Sequence, residues 1–189
     1  VFDLESLTET RDAAASIGAV DGLVLCAGVW PTTLRYTEDE LEVGVAVNHL
    51  SHFLLARELA KTRTVTRIAT VSSSAHALTR ADALDLSDAA SWTARPFDPL
   101  EAYAQAKLMN ALFAAEAGRR IAGATAVAAH PGVVDSGLFS DFPAALGALR
   151  PPDPFNLLPD VDARAESLAE SALGLLRSAL DAAPDAPPA

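Results

Sequence analysis

The chain contains a single cysteine, Cys26, so it can hold no internal disulfide and no cysteine-based zinc site is expected. One lone thiol fits a reducing compartment, and a cytoplasmic location is the expectation. No apolar run is as long as a bilayer is thick. The start lacks the basic-then-apolar pattern of a signal peptide. Basic residues are scarce: 14 Lys and Arg stand against 25 Asp and Glu, for a net charge of −11. Nucleic acid is therefore not an expected partner, because its phosphates need clustered cations. Half of the 189 residues are hydrophobic and 21% are charged, which suits one soluble domain with a real core.

Short apolar runs alternate with helix-length stretches. Leu23 to Ala27, closed by Gly28, reads as a buried parallel strand. Val65 to Val71 is a second and Ala124 to Ala129 a third; Val1-Phe2 reads as the end of a fourth. Ser6 to Ile17 reads as a helix. Thr37-Glu38-Asp39-Glu40 has the spacing of a capping box and is expected to open a long helix towards Lys61. Asp98 or Pro99 opens another, running to about Arg120, and Ala163 to Leu180 is a last one. Alternation of this kind predicts an α/β fold: a doubly wound, Rossmann-like parallel sheet with helices on both faces. Residues 1–181 read as one such domain, and the Pro- and Asp-rich residues 182–189 as a disordered tail.

The chemistry-bearing pattern is Tyr103-Ala-Gln-Ala-Lys107. A spacing of four puts both side chains on one helix face. A free tyrosine titrates near pH 10, and bringing it to neutrality requires roughly 4 kcal/mol. A cation about 4 Å away supplies on the order of 4 kcal/mol at an effective dielectric of 20. Such a lysine can make a tyrosine a general acid/base. Taken alone, the pair is equally a surface Tyr and Lys.

The pair has company. Leu25-Cys26-Ala27-Gly28, Val47-Asn48-His49-Leu50-Ser51-His52-Phe53, Arg67-Ile68-Ala69-Thr70-Val71-Ser72-Ser73, Tyr103-x-x-x-Lys107 and His130-Pro131-Gly132 follow in order. Together they resemble the signatures of the classical short-chain dehydrogenase/reductase family from about Val1 to Leu138. The long interval between Ser73 and Tyr103 and the Asn-His-Leu-x-His-Phe motif resemble its retinol-dehydrogenase-like and protochlorophyllide-reductase-like members.

The resemblance implies an NAD(P)-dependent oxidoreductase. Hydride would pass between a nicotinamide and a hydrophobic carbonyl or alcohol, with NADP favoured over NAD. It implies Asn48, Ser73, Tyr103 and Lys107 as catalytic residues. Tyr103 would exchange the proton, Lys107 would hold the ribose and lower the Tyr103 pKa, Ser73 would place the substrate oxygen, and Asn48 would hold a water leading to Lys107. It implies cofactor contacts from Asp3, Cys26, Ala27, Gly28, Tyr103, Lys107, Pro131, Gly132, Val134 and Ser136. Homodimers or homotetramers would form through the helices Glu38 to Lys61 and Pro99 to Arg120.

Other candidates read blandly. His49, His52, His76 and His130 have no trusted metal spacing, and Cys26 reads as a small buried apolar residue. Ser72 and Ser74 read as structural. Trp30 and Trp92 either line a pocket or pack. The stripe Leu108, Leu112, Phe113 is core by default. The family's glycine-rich phosphate loop is absent from the sequence, Cys26 stands where Asn is usual, and Ser136 stands where Thr is usual. The chain therefore reads as an N-terminal truncation, lacking two βα units and the last strand. The alternative function is a truncated, inactive Rossmann-like scaffold or interaction module.

Overall fold

The computed structural model describes residues 1–62, 65–79, 84–93, 95–132 and 138. Three strands, β1 (Gly22–Leu25), β2 (Arg67–Val71) and β3 (Thr125–Ala129), form one sheet in that order, both pairs parallel. Helix α1 (Leu7–Ser16) precedes β1. Between β1 and β2 come α2 (Val43–Val45), a π-helical turn (Ala46–Leu50) and α3 (Ser51–Thr62). Between β2 and β3 come a 3-10 turn (Ser74–Leu78), α4 (Leu86–Ser91) and α5 (Pro99–Arg120). Parallel neighbours need such helical crossovers. The arrangement is the expected Rossmann-like α/β fold, incomplete at three strands among the described residues.

The register aligns Leu23 with Ile68 and Leu25 with Thr70, so these side chains share a face. Helices α1, α3 and α5 cover it. Ala14, Leu25, Leu55, Ala56, Leu59, Val65, Ile68 and Ala117 form one buried cluster there. Burying one Leu or Ile fully contributes about 1.5–3 kcal/mol. The opposite face carries Val24, which is 46% exposed. The second helical layer of a doubly wound sheet is thus not seen among the described residues.

Helix boundaries follow their caps. The Ser6 hydroxyl accepts from Glu9 N and opens α1. The Asp98 carboxylate accepts from Leu100 N and Glu101 N, and Pro99 is the first residue of α5. Thr37 is a correction. Its Oγ1 accepts from Asp39 N and Leu41 N, but Glu40 sits at φ 59°, in the left-handed region that ends a helical path. The segment makes a turn, and the helix waits for Glu42. That carboxylate, 0% exposed, accepts from Gly44 N and Val45 N, each at 2.7 Å.

Two further expectations are corrected. Val1-Phe2 is no strand: Phe2 instead packs against the apolar cluster. Cys26 is exposed, because it lies one residue past β1 and the alternation turns it away from the face that buries Leu25. Phe113 packs against the core, Leu108 is half-buried, and Leu112 is 41% exposed. The expected helix Ala163 to Leu180 and tail 182–189 lie outside the described residues. No helix among those described is long and apolar enough to cross a membrane.

Candidate active site

The carboxyl ends of β1 and β2 and the first half of α5 converge on one cluster. Helical periodicity puts Tyr103, Lys107 and Asn110 on one face of α5, and all three are buried, at 7%, 3% and 1% exposure. Lys107 Nζ and Asn110 Nδ2 each donate to the same acceptor, Val71 O, at 3.1 Å. Ser72 Oγ donates to Lys107 O at 2.7 Å, which fastens the helix to the end of β2 and gives Ser72 its structural role. Ser73, next along, stands near the Tyr103 hydroxyl and works to lower its pKa. It also accepts from Ala75 N and so opens the 3-10 turn.

Asn48 lies in the middle of the π-helical turn and is 0% exposed. Single π turns recur at functional sites. Its amide makes a reciprocal pair with Val29: Nδ2 donates to Val29 O at 2.9 Å and Oδ1 accepts from Val29 N at 2.8 Å. The side chain is therefore spent on holding the loop after β1. Asn48 O faces Nδ1 of the buried His52 at 3.1 Å.

Gly28 on that loop fits closely. A Cβ there would stand 3.1 Å from Asn48 Oδ1 and 3.6 Å from Lys107 Nζ. Glycine is what lets the loop run beside the lysine.

Burial sets the electrostatics. It lowers the Lys107 pKa to about 8, with the nearby Cys26 working the other way. It lowers His52 to about 4, aided by the charge of Lys107. Burial raises Tyr103, against a lowering by Ser73. This corrects the expectation that Lys107 brings Tyr103 down. The ammonium lies 5.4 Å from the centre of the phenol ring and is turned to Val71 O. Desolvation of the phenolate wins at that distance.

The structure brings together Cys26, Gly28, Asn48, Ser73, Tyr103 and Lys107. Pro131 and Gly132 follow the end of β3, with Gly132 at φ 82°. His130 accepts from Ser74 N across that end. Asp3 stands apart in the loop before α1, its carboxylate accepting from Glu5 N. Val134 and Ser136 lie outside the described residues. The imidazoles of His49 and His52 are engaged by Asn110 Oδ1 and Asn48 O. Among the described residues no group of three or more His, Cys, Asp or Glu is arranged to hold a metal.

One neighbour escaped the sequence reading. Asn110 was findable, being three residues after Lys107 and seven after Tyr103 on the same helix face. Trp30, read as either lining a pocket or packing, lies with its indole flat on Tyr103, centroids 4.3 Å apart and planes at 8°, a contact made only by the tertiary fold. Trp92 packs, buried at 3% against Phe97 and Arg95.

No family model matches the chain. Human retinol dehydrogenase 13 is 40% identical over 141 residues, covering 70% of this chain and 41% of its own length. Bovine dehydrogenase/reductase SDR family member 13 is 36% identical over 148 residues, covering 73% of this chain and 38% of its own. The chain thus spans about two-fifths of these curated relatives. The crystal structure of 3-alpha-hydroxysteroid dehydrogenase from Pseudomonas sp. B-0831, complexed with NADH, superposes with a TM-score of 0.62 at 24% identity. That match covers 79% of this chain and 65% of the other, and it shows the fold. With the fold, the ordered motifs and these relatives in agreement, the chain belongs to the short-chain dehydrogenase/reductase family.

Proposed function

We propose that this chain carries the catalytic part of an NAD(P)-dependent oxidoreductase acting on a hydrophobic carbonyl or its alcohol. The observation that carries the reading is the grouping of buried Tyr103, buried Lys107 one turn along α5, and half-buried Ser73 near the Tyr103 hydroxyl. Tyr103 is the proton donor and acceptor. Burial keeps the phenol protonated, the form in which it can donate to a carbonyl oxygen, the reductive direction. Ser73, near the Tyr103 hydroxyl, donates to the same substrate oxygen and places it. Lys107 contributes a cation at the ring and stands beside Gly28.

The nicotinamide cofactor fits this end of the sheet. The exposed loop Cys26-Ala27-Gly28 offers no bulk, and a Cβ at Gly28 would approach both Asn48 and Lys107. Lys107, Tyr103, Ala27, Gly28, Pro131 and Gly132 would hold it, with Cys26 beside them and Asp3, Val134 and Ser136 completing the set. When bound, the cofactor supplies or takes the hydride. NADP is favoured over NAD on the resemblance of the Asn-His-Leu-x-His-Phe motif and the long interval before Tyr103, and a cytoplasmic location belongs to the same proposal. Pairing of two copies through α3 and α5 is the oligomer it implies.

The test is an assay of the protein with NADH and NADPH against a panel of aldehydes and ketones, with Tyr103→Phe as control. Turnover should fall by about 10²–10⁴ in the variant, the usual worth of a general acid. Full turnover by Tyr103→Phe would sink the mechanism. The alternative reading is a non-catalytic Rossmann-like scaffold or interaction module. Fluorescence titration of this chain with NADPH separates the two. Weak binding that tightens when a glycine-rich βα unit is supplied upholds the enzyme; no binding in either form upholds the scaffold.

A further inference from the structure

Trp30 is anchored twice before it meets Tyr103. Its neighbour Val29 is held through both backbone polar groups by the buried Asn48. Its own indole N–H donates to Pro99 O at 3.0 Å, at the first residue of α5. The ring therefore reaches from the loop after β1 to the helix that carries Tyr103. There it lies parallel to the phenol, with centroids 4.3 Å apart. A flat, anchored ring in contact across a whole face leaves the phenol no room to turn about its own axis. The Tyr103 oxygen lies on that axis, so its place is set by where the whole phenol points, and an indole against one face blocks a swing in that direction; Ser73 stands near the hydroxyl.

We infer that Trp30 is a positioning residue for Tyr103: the indole braces one face of the phenol, so that the side chain cannot swing that way and carry its hydroxyl from Ser73, and it shields that face from water. The catalytic consequence rests on the acid/base reading of Tyr103; the geometric consequence stands apart from it. The titratable and charged groups around Tyr103 come from several elements. His76, on the 3-10 turn, meets Ser73 O; Glu101 and Lys107 share α5; Cys26, after β1, is felt by Lys107. Substitution at position 30 leaves all of them in place, so a change in Tyr103 reports the loss of the ring.

The chain has two tyrosines, and Tyr36 is 48% exposed, with its hydroxyl on Ser91 O. In a Tyr36→Phe background, phenolate absorbance comes from Tyr103 alone. The experiment titrates that absorbance in the 189-residue chain with Trp, Phe, Leu or Ala at position 30. Trp30→Ala and Trp30→Leu should move the Tyr103 midpoint down, towards that of an ordinary tyrosine, while Trp30→Phe stays close to the parent. Leu keeps volume without a ring to stack, so it serves where Ala fails to fold. In the active enzyme, Trp30→Ala should lower kcat by about tenfold with the cofactor KM unchanged, and Trp30→Phe should restore most of it. An unmoved midpoint in a folded Trp30→Ala or Trp30→Leu chain overturns the inference. A moved midpoint in a protein that turns over nothing upholds it and overturns the oxidoreductase reading instead.

Discussion

Two regions of the molecule are buried to the same depth and held in opposite ways. Beneath the covered face of the sheet, Leu25, Leu55, Leu59 and Ile68 are between 0% and 7% exposed and belong to one apolar cluster. At the carboxyl ends of the strands, Asn48, His52, Ser72, Lys107 and Asn110 are between 0% and 5% exposed. The first region gains free energy from area removed from water, whatever the pH. The second gains little, because every polar group it buries first loses its hydration. It persists because each group named has found a partner, most of them backbone carbonyls: Val71 O for two donors, Lys107 O for Ser72, Asn48 O for His52. Stability should therefore be blind to pH in one region and sensitive to it in the other.

The largest effect belongs to the apolar side. Leu59, 0% exposed, lies at the centre of the cluster, and Leu59→Ala should cost about 2–5 kcal/mol by urea unfolding. The loss should be the same at acid, neutral and alkaline pH. A loss that varied with pH would mean that the two regions are coupled, and the contrast would fail.

The polar side should show two pH windows, each worth about 3 kcal/mol at most, from shifts of about 2.5 units at 1.36 kcal/mol each. The His52 pKa falls from 6.5 to about 4 on folding, so between those values the unfolded chain binds the extra proton. Stability is present above pH 6.5 and is lost as pH falls towards 4. Lys107 falls from 10.5 to about 8, and again the unfolded chain holds the proton between them. Here stability rises with pH from about 8 upward. Glu42, raised by burial, opposes the first window, and Tyr103, also raised, opposes the second at its upper end. The difference between parent and variant isolates each term. His52→Gln should flatten the acid limb of the unfolding free energy and Lys107→Met the alkaline rise. Limbs that survived both substitutions would place the pH dependence elsewhere.

The same contrast explains what could be read in the sequence. The three strands and α5 were legible because burial by area leaves a trace in the pattern of apolar residues, and because Asp98-Pro99 is a local start signal. Asn48, Ser73, Tyr103 and Lys107 were legible only by the order of their motifs. Their partners were not, since a backbone carbonyl such as Val71 O leaves no mark on residue type. The start of the helical crossover from β1 to β2 was misread for a related reason. Thr37 to Glu40 satisfies a capping pattern locally, whereas Glu42 caps with a carboxylate wholly withdrawn from water, which no local pattern announces. Trp30 meets Tyr103 through tertiary structure alone.

The smallest effect should come from charges that were never buried. On the last turn of α5, Glu116 accepts from both Arg119 and Arg120, and the arginine side chains are 74% and 78% exposed. As a drawing of contacts, this triad looks stronger than the single hydrogen bond from Lys107 to Val71 O. Water reverses the ranking. Exposed partners keep most of their hydration and surrender side-chain freedom to meet, so such pairs contribute little that can be measured. Lys107 gave up its hydration on folding, and its pKa registers the cost. Glu116→Ala should thus leave both the urea midpoint and its pH dependence unchanged within error, on the same helix where Lys107→Met alters the alkaline limb. A loss at Glu116 comparable to that of Leu59→Ala would show that the end of α5 is packed against something, and that this surface belongs with the buried regions.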